Sequence, residues 1–178
     1  MTSHRENFWH FSNQIYRRPG VAETCLDLQH SKGADVNLLL FACWYGVSRG
    51  LLPEELIERS LDYSQRWSSN VVVPLRQART WMKQSEVLLS DNRDVDLCMQ
   101  QYRQLRQQIK ATELQAEHVQ QTLLESMLDD SQVKAKLDGD EVTQGQHVRT
   151  NLLRYLPAQT DPQILKLLSD NAVAIHHS

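Results

Sequence analysis

Six basic residues recur at one spacing in two stretches of the sequence. The two triplets are Arg76, Arg79 and Lys83, and Arg103, Arg106 and Lys110. On a helix, steps of three and four residues keep each triplet on one side. Clustered guanidinium and ammonium groups bind phosphate or carboxylate groups. These six residues, called the basic flank below, are therefore candidates for binding an anionic ligand, RNA or an acidic protein partner.

The same cations could instead be neutralised inside the protein. Candidate partners are Glu86, Glu113 and Glu117 along the flank, and an acidic stripe at Glu54, Glu55, Glu58 and Asp62. Glu113 and Glu117 are four residues apart on a predicted helix and repel each other unless a cation lies between them. Structural ion pairs are the commoner use of such charges, so the sequence favours internal pairing over an exposed anion site.

A second group of residues could line a pocket for a small ligand. Its members are Trp9, Asp35, Asn37, Trp44, Glu113 and Glu117. The simpler interpretation makes Asp35 a helix N-cap and Asn37 a first-turn partner for backbone groups. The four tryptophans, Trp9, Trp44, Trp67 and Trp81, are likewise expected more often in a core than around a ligand.

Catalytic and metal chemistry have little support. The sequence has no P-loop, no dinucleotide-binding glycine motif, no zinc spacing and no nucleophile elbow. Cys25, Cys43 and Cys98 each occupy an apolar position of a predicted helix, which favours buried free thiols over nucleophiles. We therefore predict no catalytic residue, no metal and no cofactor.

Two long helices must position the basic flank. Apolar and small residues step by three and four through residues 70–89 and 94–128, with a turn cluster at 90–93 and a break or kink at 68–70. The first seam is Val71, Leu75, Ala78, Met82, Ser85 and Leu89. The second is Cys98, Tyr102, Leu105, Ile109, Thr112, Ala116, Val119 and Leu123. This pattern predicts an antiparallel coiled-coil hairpin in which Val71 lies opposite about Glu113 and the two triplets adjoin.

The rest of the chain predicts an all-α fold. Residues 38–45 are apolar without a helical period, as expected of a helix that is buried on every side. We expect a helical cluster around this central helix, packed on the long hairpin, in a domain over residues 1–128. An acidic linker is predicted at 129–142, and a short helical C-terminal appendage at 143–178 that becomes a loose tail from residue 169.

Composition excludes several classes of protein. A formal charge of −3 and a pI of about 6.1 argue against a generally basic nucleic-acid coat. The eight-residue apolar run is too short to insert in a membrane, and the first eleven residues lack the apolar stretch of a signal peptide. An odd number of dispersed cysteines fits the reducing cytoplasm.

Several stretches resemble a bacterial family of unknown function, the DUF2390 or TIGR02444 type. The similarity covers about residues 6–128 and is carried by Phe8-Trp9 with Ser12 and Tyr16, Pro19-Gly20-Val21, Cys25-Leu26-x-Leu28-Gln29, Gly33-x-Asp35-Val36-Asn37-Leu38-Leu39-Leu40-Phe41 with Trp44, Trp67, Val72-x-Pro74-Leu75-Arg76-x-x-Arg79, and Glu113-Leu114-x-Ala116-Glu117. The resemblance implies a helical proteobacterial cytoplasmic protein and implies no activity.

Two classes of function follow from the sequence. The leading hypothesis is a non-enzymatic interaction or regulatory protein, which binds a protein partner or itself through the long helix, the basic flank or the part of the long helix beyond Glu113. A homodimer is expected through that last part. An anionic ligand or RNA is a less favoured partner. The alternative is a small-ligand binder or enzyme with a pocket between the N-terminal helices and the long helix.

Overall fold

The computed structural model describes residues 7–89, 96–128 and 140–177, and within these ranges the fold is all-α without a strand. The helices are α1 (Phe8–Tyr16), α2 (Val21–Lys32), α3 (Val36–Ser48), α4 (Glu54–Trp67), α5 (Val73–Leu89), α6 (Asp96–Ser126), α7 (Glu141–Leu152) and α8 (Pro162–His176). A π-helix, Ser68–Val72, connects α4 to α5. The predicted fold class is therefore confirmed.

The chain divides into two compact units, one of residues 1–64 with 121–178 and the other of residues 65–120. The boundaries fall within α4 and α6, and each unit is described separately below. The predicted division was different, with a domain at 1–128, a linker at 129–142 and an appendage at 143–178. Of that linker, residues 129–139 lie outside the described part of the chain, as do residues 90–93 of the predicted turn.

In the first unit, α3 is the central element. Its residues are buried continuously from Asn37 to Val47, as the apolar run predicts, and α1, α2, α7 and α8 all contact it. Asp35 begins the helix as its N-cap, because its Oδ1 accepts a hydrogen bond from the Asn37 backbone N–H at 2.9 Å. A helix that is apolar on all sides needs neighbours on all sides, since exposed apolar area is unfavourable in water.

The C-terminal helices supply part of that cover. Eight apolar residues of α7, α8 and the segment between them belong to the same buried core as α1–α3: Val148, Leu152, Leu156, Leu165, Leu168, Ala172, Val173 and Ile175. α7 begins one residue after Asp140, which caps it by accepting a hydrogen bond from the Thr143 N–H at 2.8 Å. The predicted loose tail is wrong up to residue 176, because α8 continues to His176 and buries Ala172, Val173 and Ile175.

A buried polar side chain and a close backbone contact join α7 to the C-terminal part of α3. Asn151, which is almost fully buried, donates to the carbonyls of Ala42 and Gly50 and accepts from the Leu52 N–H. These contacts satisfy backbone groups where α3 ends and the chain turns at Gly50, whose φ is +98°. Further along α3, Gly46 lets the backbone of Val148 approach so closely that a Cβ on Gly46 would lie 2.8 Å from Val148 Cα.

In the second unit, α5 and α6 form the predicted antiparallel hairpin. Tyr102 Oη donates to the Met82 carbonyl at 2.8 Å, and Trp67 Nε1 donates to the Ala116 carbonyl at 2.9 Å. Both contacts fit a register in which Val71 lies near the level of Glu113. The predicted break at 68–70 is the π-helix, which ends two residues before Pro74, in the first turn of α5. Pro74 has no N–H for the Asn70 carbonyl, so a local change from the α-helical pattern is expected there.

Candidate binding surface

The packed face of α6 is rotated from the predicted seam. At four positions the side chain one residue later is the buried or half-buried one: Met99 instead of Cys98, Arg106 instead of Leu105, Glu113 instead of Thr112, and Gln120 instead of Val119. Tyr102, Ile109 and Ala116 remain in the seam. On α5, the half-buried Arg79 similarly takes the place of the exposed Ala78. The pattern of apolar residues does not predict this rotation, because the rotation is favoured by ion pairs between α5 and α6.

Glu113 is the centre of the first ion-pair cluster. Its side chain is only 8% exposed, and its two oxygens accept hydrogen bonds from Arg76 Nε at 3.0 Å and from Arg79. Arg76 also donates to Glu117 at 2.8 Å. An arginine thus lies between the two glutamates, as their like-charge spacing on α6 predicts. A buried carboxylate needs such partners, since an unpaired charge is costly to remove from water.

Glu86 holds the second cluster. It accepts from Arg103 Nε at 2.7 Å and lies 3.4 Å from Arg106 Nη2. The hydrogen bond from Arg103 lowers the pKa of Glu86, with the nearby charge of Arg106 acting in the same direction. Four of the six cations of the basic flank are therefore in internal ion pairs, the alternative that the sequence favoured. Of the acidic stripe on α4, Glu54 pairs with Arg154 in the first unit.

The remaining two cations, Lys83 and Lys110, are exposed and have no ion pair with any described residue. Lys83 lies seven residues after Arg76, and Lys110 lies seven residues before Glu117. Lys83 and Lys110 therefore have the same relation to each other, two turns along an antiparallel hairpin, as the ion-paired Arg76 and Glu117. Both of these positions hold a cation, where the corresponding positions two turns away hold Arg76 and its partner Glu117.

The residues predicted to line a pocket are divided between the units. Glu113 and Glu117 belong to the second unit, whereas Trp9, Asp35, Asn37 and Trp44 belong to the first. Trp44 stacks on Phe8 with ring centroids 5.3 Å apart, and the Arg49 guanidinium lies 4.4 Å from the Trp44 ring centroid. Trp44 is thus a core residue, as its alternative interpretation predicts, but Trp81 is 64% exposed, so the core prediction is wrong for that tryptophan.

A buried amide pair lies beside the N-terminus of α3. Gln121 Nε2 donates to Asn37 Oδ1 at 2.7 Å, and both side chains are buried. Gln121 Oε1 is buried without a hydrogen-bond partner in the described structure. Sequence reasoning missed Gln121, although it follows Glu113 and Glu117 on α6 at helical spacing. A glutamine on a helix can lie in the core or in solvent, and the sequence around Gln121 does not distinguish the two.

Glu125 was also missed, and it contacts the first residue of α1, whose ring is part of the aromatic core. Its Oε2 accepts from the Phe8 backbone N–H at 3.2 Å. Burial raises the pKa of Glu125, and the Phe8 N–H and the Arg49 charge act in the opposite direction without cancelling the effect. The folded state therefore holds the proton of Glu125 more tightly than the unfolded chain does.

We expect replacement of Glu125 by glutamine to maintain or raise stability at neutral pH. A raised pKa means that the ionised carboxyl lowers the free energy of unfolding above its folded pKa, and that this penalty disappears as the pH falls below the unfolded value near 4.5. The stability difference between the two proteins should therefore shrink on acidification. Urea unfolding at neutral and acidic pH measures it. Glu125→Ala, which also removes the acceptor for Phe8, is the control and should be less stable than Glu125→Gln at both pH values. A wild type clearly more stable than Glu125→Gln at neutral pH would contradict the sign.

The cysteines differ from the prediction at one position. Cys25 and Cys43 are buried, but Cys98 is exposed, a consequence of the rotated face of α6. Burial raises the pKa of Cys25 to about 12 and that of Cys43 well above its ordinary value. These two thiols stay protonated at neutral pH and are poor nucleophiles. Across residues 7–89, 96–128 and 140–177, no three His, Cys, Asp or Glu side chains are grouped as a metal ion would need.

The N-terminal cluster and the hairpin together match a known family model. The model, described as "Protein of unknown function (DUF2390)", aligns with residues 7–124, which is well over half of the chain. The chain belongs to the DUF2390 family. The match includes α1–α5 and nearly all of α6, and it ends before α7 and α8. The DUF2390 model thus contains the basic flank and α3 but not the C-terminal helices that help to cover α3.

No curated protein and no solved structure is detectably similar to the chain. The family description assigns no activity to its members. Among the helices in the described ranges, none combines the length and the apolar content that crossing a bilayer requires.

Proposed function

We propose that this DUF2390 protein is a non-enzymatic interaction protein whose basic flank binds an acidic protein partner in the cytoplasm. The observation that supports the proposal is that Lys83 and Lys110 occupy the two positions that correspond, two turns along the hairpin, to the ion-paired Arg76 and Glu117. The six cations of the flank exceed their three glutamate partners, and the excess is concentrated at these exposed lysines. A carboxylate from a partner would relieve the repulsion between them and continue the alternation of charges along the hairpin.

The neighbouring ion pairs favour the same surface. Arg76 and Arg103 are held by Glu113, Glu117 and Glu86, so their guanidinium groups lose little conformational freedom when a partner approaches. Arg103 remains 59% exposed and has donors left for a second acceptor. Because the arginines are already partly neutralised, the flank suits a few carboxylates of a protein better than a continuous phosphate backbone, which favours an acidic protein over RNA.

The test uses Lys110→Glu in the full chain. The new carboxylate would have the same relation to Lys83 that Glu117 has to Arg76, so the fold should be as stable as the wild type or more so, while the binding of anions should be lost. Titration with a labelled glutamate-rich peptide should show affinity about tenfold or more weaker in the variant, a loss of about 1.4 kcal/mol. Lys32→Glu, on the exposed end of α2, is the matched control and should bind like the wild type. Added salt should weaken binding to the wild type.

Three outcomes would contradict the proposal. These are equal affinity of Lys110→Glu and wild type, an equal loss in Lys32→Glu, and the absence of peptide binding at low salt. A single-stranded RNA that binds more tightly than the peptide under the same conditions would replace the protein partner with a nucleic acid.

A second candidate function is small-ligand binding at the Asn37–Gln121 pair. The unpaired Gln121 Oε1 supports it, because buried oxygens without partners are uncommon and a ligand donor would satisfy this one. Native mass spectrometry of the protein purified under mild conditions separates the two functions. A small molecule that remains bound to the wild type, and is absent from Gln121→Met, would favour the ligand-binding alternative.

A further inference from the structure

An exposed side of α6 carries a seven-residue repeat whose side chains are not packed against α5. Cys98, Leu105, Thr112 and Val119 are spaced by seven residues, and all four side chains are exposed. Leu105 is 50% exposed and Val119 is 43% exposed. Seven residues make nearly two helical turns, so these side chains form one stripe, called the outer stripe, over three heptads and about 32 Å of helix.

The surroundings of the outer stripe are uncharged. Between residues 98 and 119, the charged residues of α6 are Arg103, Arg106, Lys110, Glu113 and Glu117. All of them lie on the side that faces α5 or on the basic flank. Between residues 98 and 119, the exposed residues three or four positions from those of the outer stripe are all glutamines: Gln101, Gln108 and Gln115. An ordinary solvated helix face carries charged side chains, so an exposed face without them is unusual.

From this pattern we infer that the outer stripe is a self-association surface, and that its occupant is α6 of a second copy of the chain. A seven-residue repeat is the period with which two helices pack along each other. In a two-fold symmetric dimer each residue also meets its own symmetry-related surface, so a charge near the axis would be repelled by its own copy. The outer stripe carries no charge, and self-pairing therefore meets no such repulsion.

The same absence of charge argues against a charged partner here. A partner recognised by charge would need acidic or basic groups along the stripe, and the glutamine borders provide none. Glutamine amides both donate and accept, so identical glutamine-rich edges can hydrogen-bond to each other. The inference does not depend on the basic flank, because the outer stripe and the flank lie on different sides of α6.

The test compares two leucines on opposite sides of the same helix. Leu114 is nine residues after Leu105, two and a half turns away, and is similarly exposed at 55%. We expect sedimentation velocity of the full chain to show a concentration-dependent dimer whose dissociation constant rises about tenfold or more in Leu105→Glu. Leu114→Glu should dimerise like the wild type. Added salt should leave the dimer unchanged, in contrast to binding of the acidic peptide.

Circular dichroism should show equal helicity in both variants, since both leucines are exposed. A monomer at all accessible concentrations would overturn the inference, as would a dimer that tolerates Leu105→Glu or that is weakened equally by Leu114→Glu. The glutamate-rich peptide gives the distinguishing readout for the proposed function. The Leu105→Glu monomer should still bind the peptide, so the self-association inference and the proposed function can fail independently of each other.

Discussion

A chain that ends at Leu128 is expected to lose cooperative folding, although it contains the whole of the family match. The truncation removes the eight apolar residues that α7, α8 and the segment between them place in the core around α3. Full burial of each large apolar side chain contributes about 1.5–3 kcal/mol, so the loss is on the order of 10 kcal/mol. Domains of this size are stable by about 5–15 kcal/mol in total. The shortened chain should show a broad, non-cooperative thermal transition and should bind a hydrophobic dye.

A complementation experiment is the control for this truncation. Residues 129–178 added as a separate chain should restore helicity and a cooperative transition, because the missing cover of α3 can be supplied without a covalent link. If the chain of residues 1–128 unfolds cooperatively with the same midpoint temperature as the full protein, α7 and α8 are not needed for a stable core. The truncation also removes Asn151, and its loss leaves the Leu52 N–H and the Gly50 carbonyl without their hydrogen-bond partner.

Gly46→Ala is expected to lower the free energy of unfolding by about 2 kcal/mol. The added Cβ would lie 2.8 Å from both Cα and N of Val148, and backbone atoms cannot turn away as the end of a flexible side chain can. Overpacking against backbone atoms is expected to cost about 3 kcal/mol, the upper end of the usual range, and the better helix propensity of alanine offsets about 1 kcal/mol of it. Equilibrium unfolding in urea measures the difference.

Gly145→Ala is the matched control within α7. A Cβ at Gly145 would meet only Val173 Cγ2 at 4.0 Å, which is an ordinary contact. Alanine should therefore stabilise the protein by up to about 1 kcal/mol through helix propensity alone. Opposite signs for the two glycines would confirm that close approach of α3 and α7, and not glycine chemistry, decides the result. Stabilisation by both substitutions would mean that α7 does not lie against Gly46 in solution.

Local patterns were sufficient for most of the secondary structure. Asp35 as an N-cap, the break before Pro74 and the apolar run of α3 depend on interactions within one turn or one helix. Such features are encoded by neighbours in the chain, which is why spacing alone predicts them. The hairpin was also predictable, because a short turn between two helices of the same period leaves an antiparallel pair as the simplest arrangement.

Which side of each hairpin helix is packed could not be predicted in the same way. The apolar pattern favoured Leu105 and Thr112 for the seam, whereas the structure buries Glu113 and half-buries Arg106. Each charged group enters the seam only because a partner of opposite sign arrives from the other helix, Arg79 for Glu113 and Glu86 for Arg106. The gain from such a pair depends on distance and burial, and neither quantity is contained in a one-dimensional pattern.

The sequence by itself determined that the protein is all-α, that a buried apolar helix lies in its core and that a charged hairpin follows, because periodicity and composition act locally. Only the tertiary structure decided that α7 and α8 help to complete the core and that an uncharged stripe on α6 is exposed. It also decided that four cations of the flank are ion-paired, while Lys83 and Lys110 form no ion pair with a described residue. Each of these depends on contacts between residues far apart in the chain. A contact such as Gly46 with Val148, or Asn37 with Gln121, exists only after folding has brought its two members together.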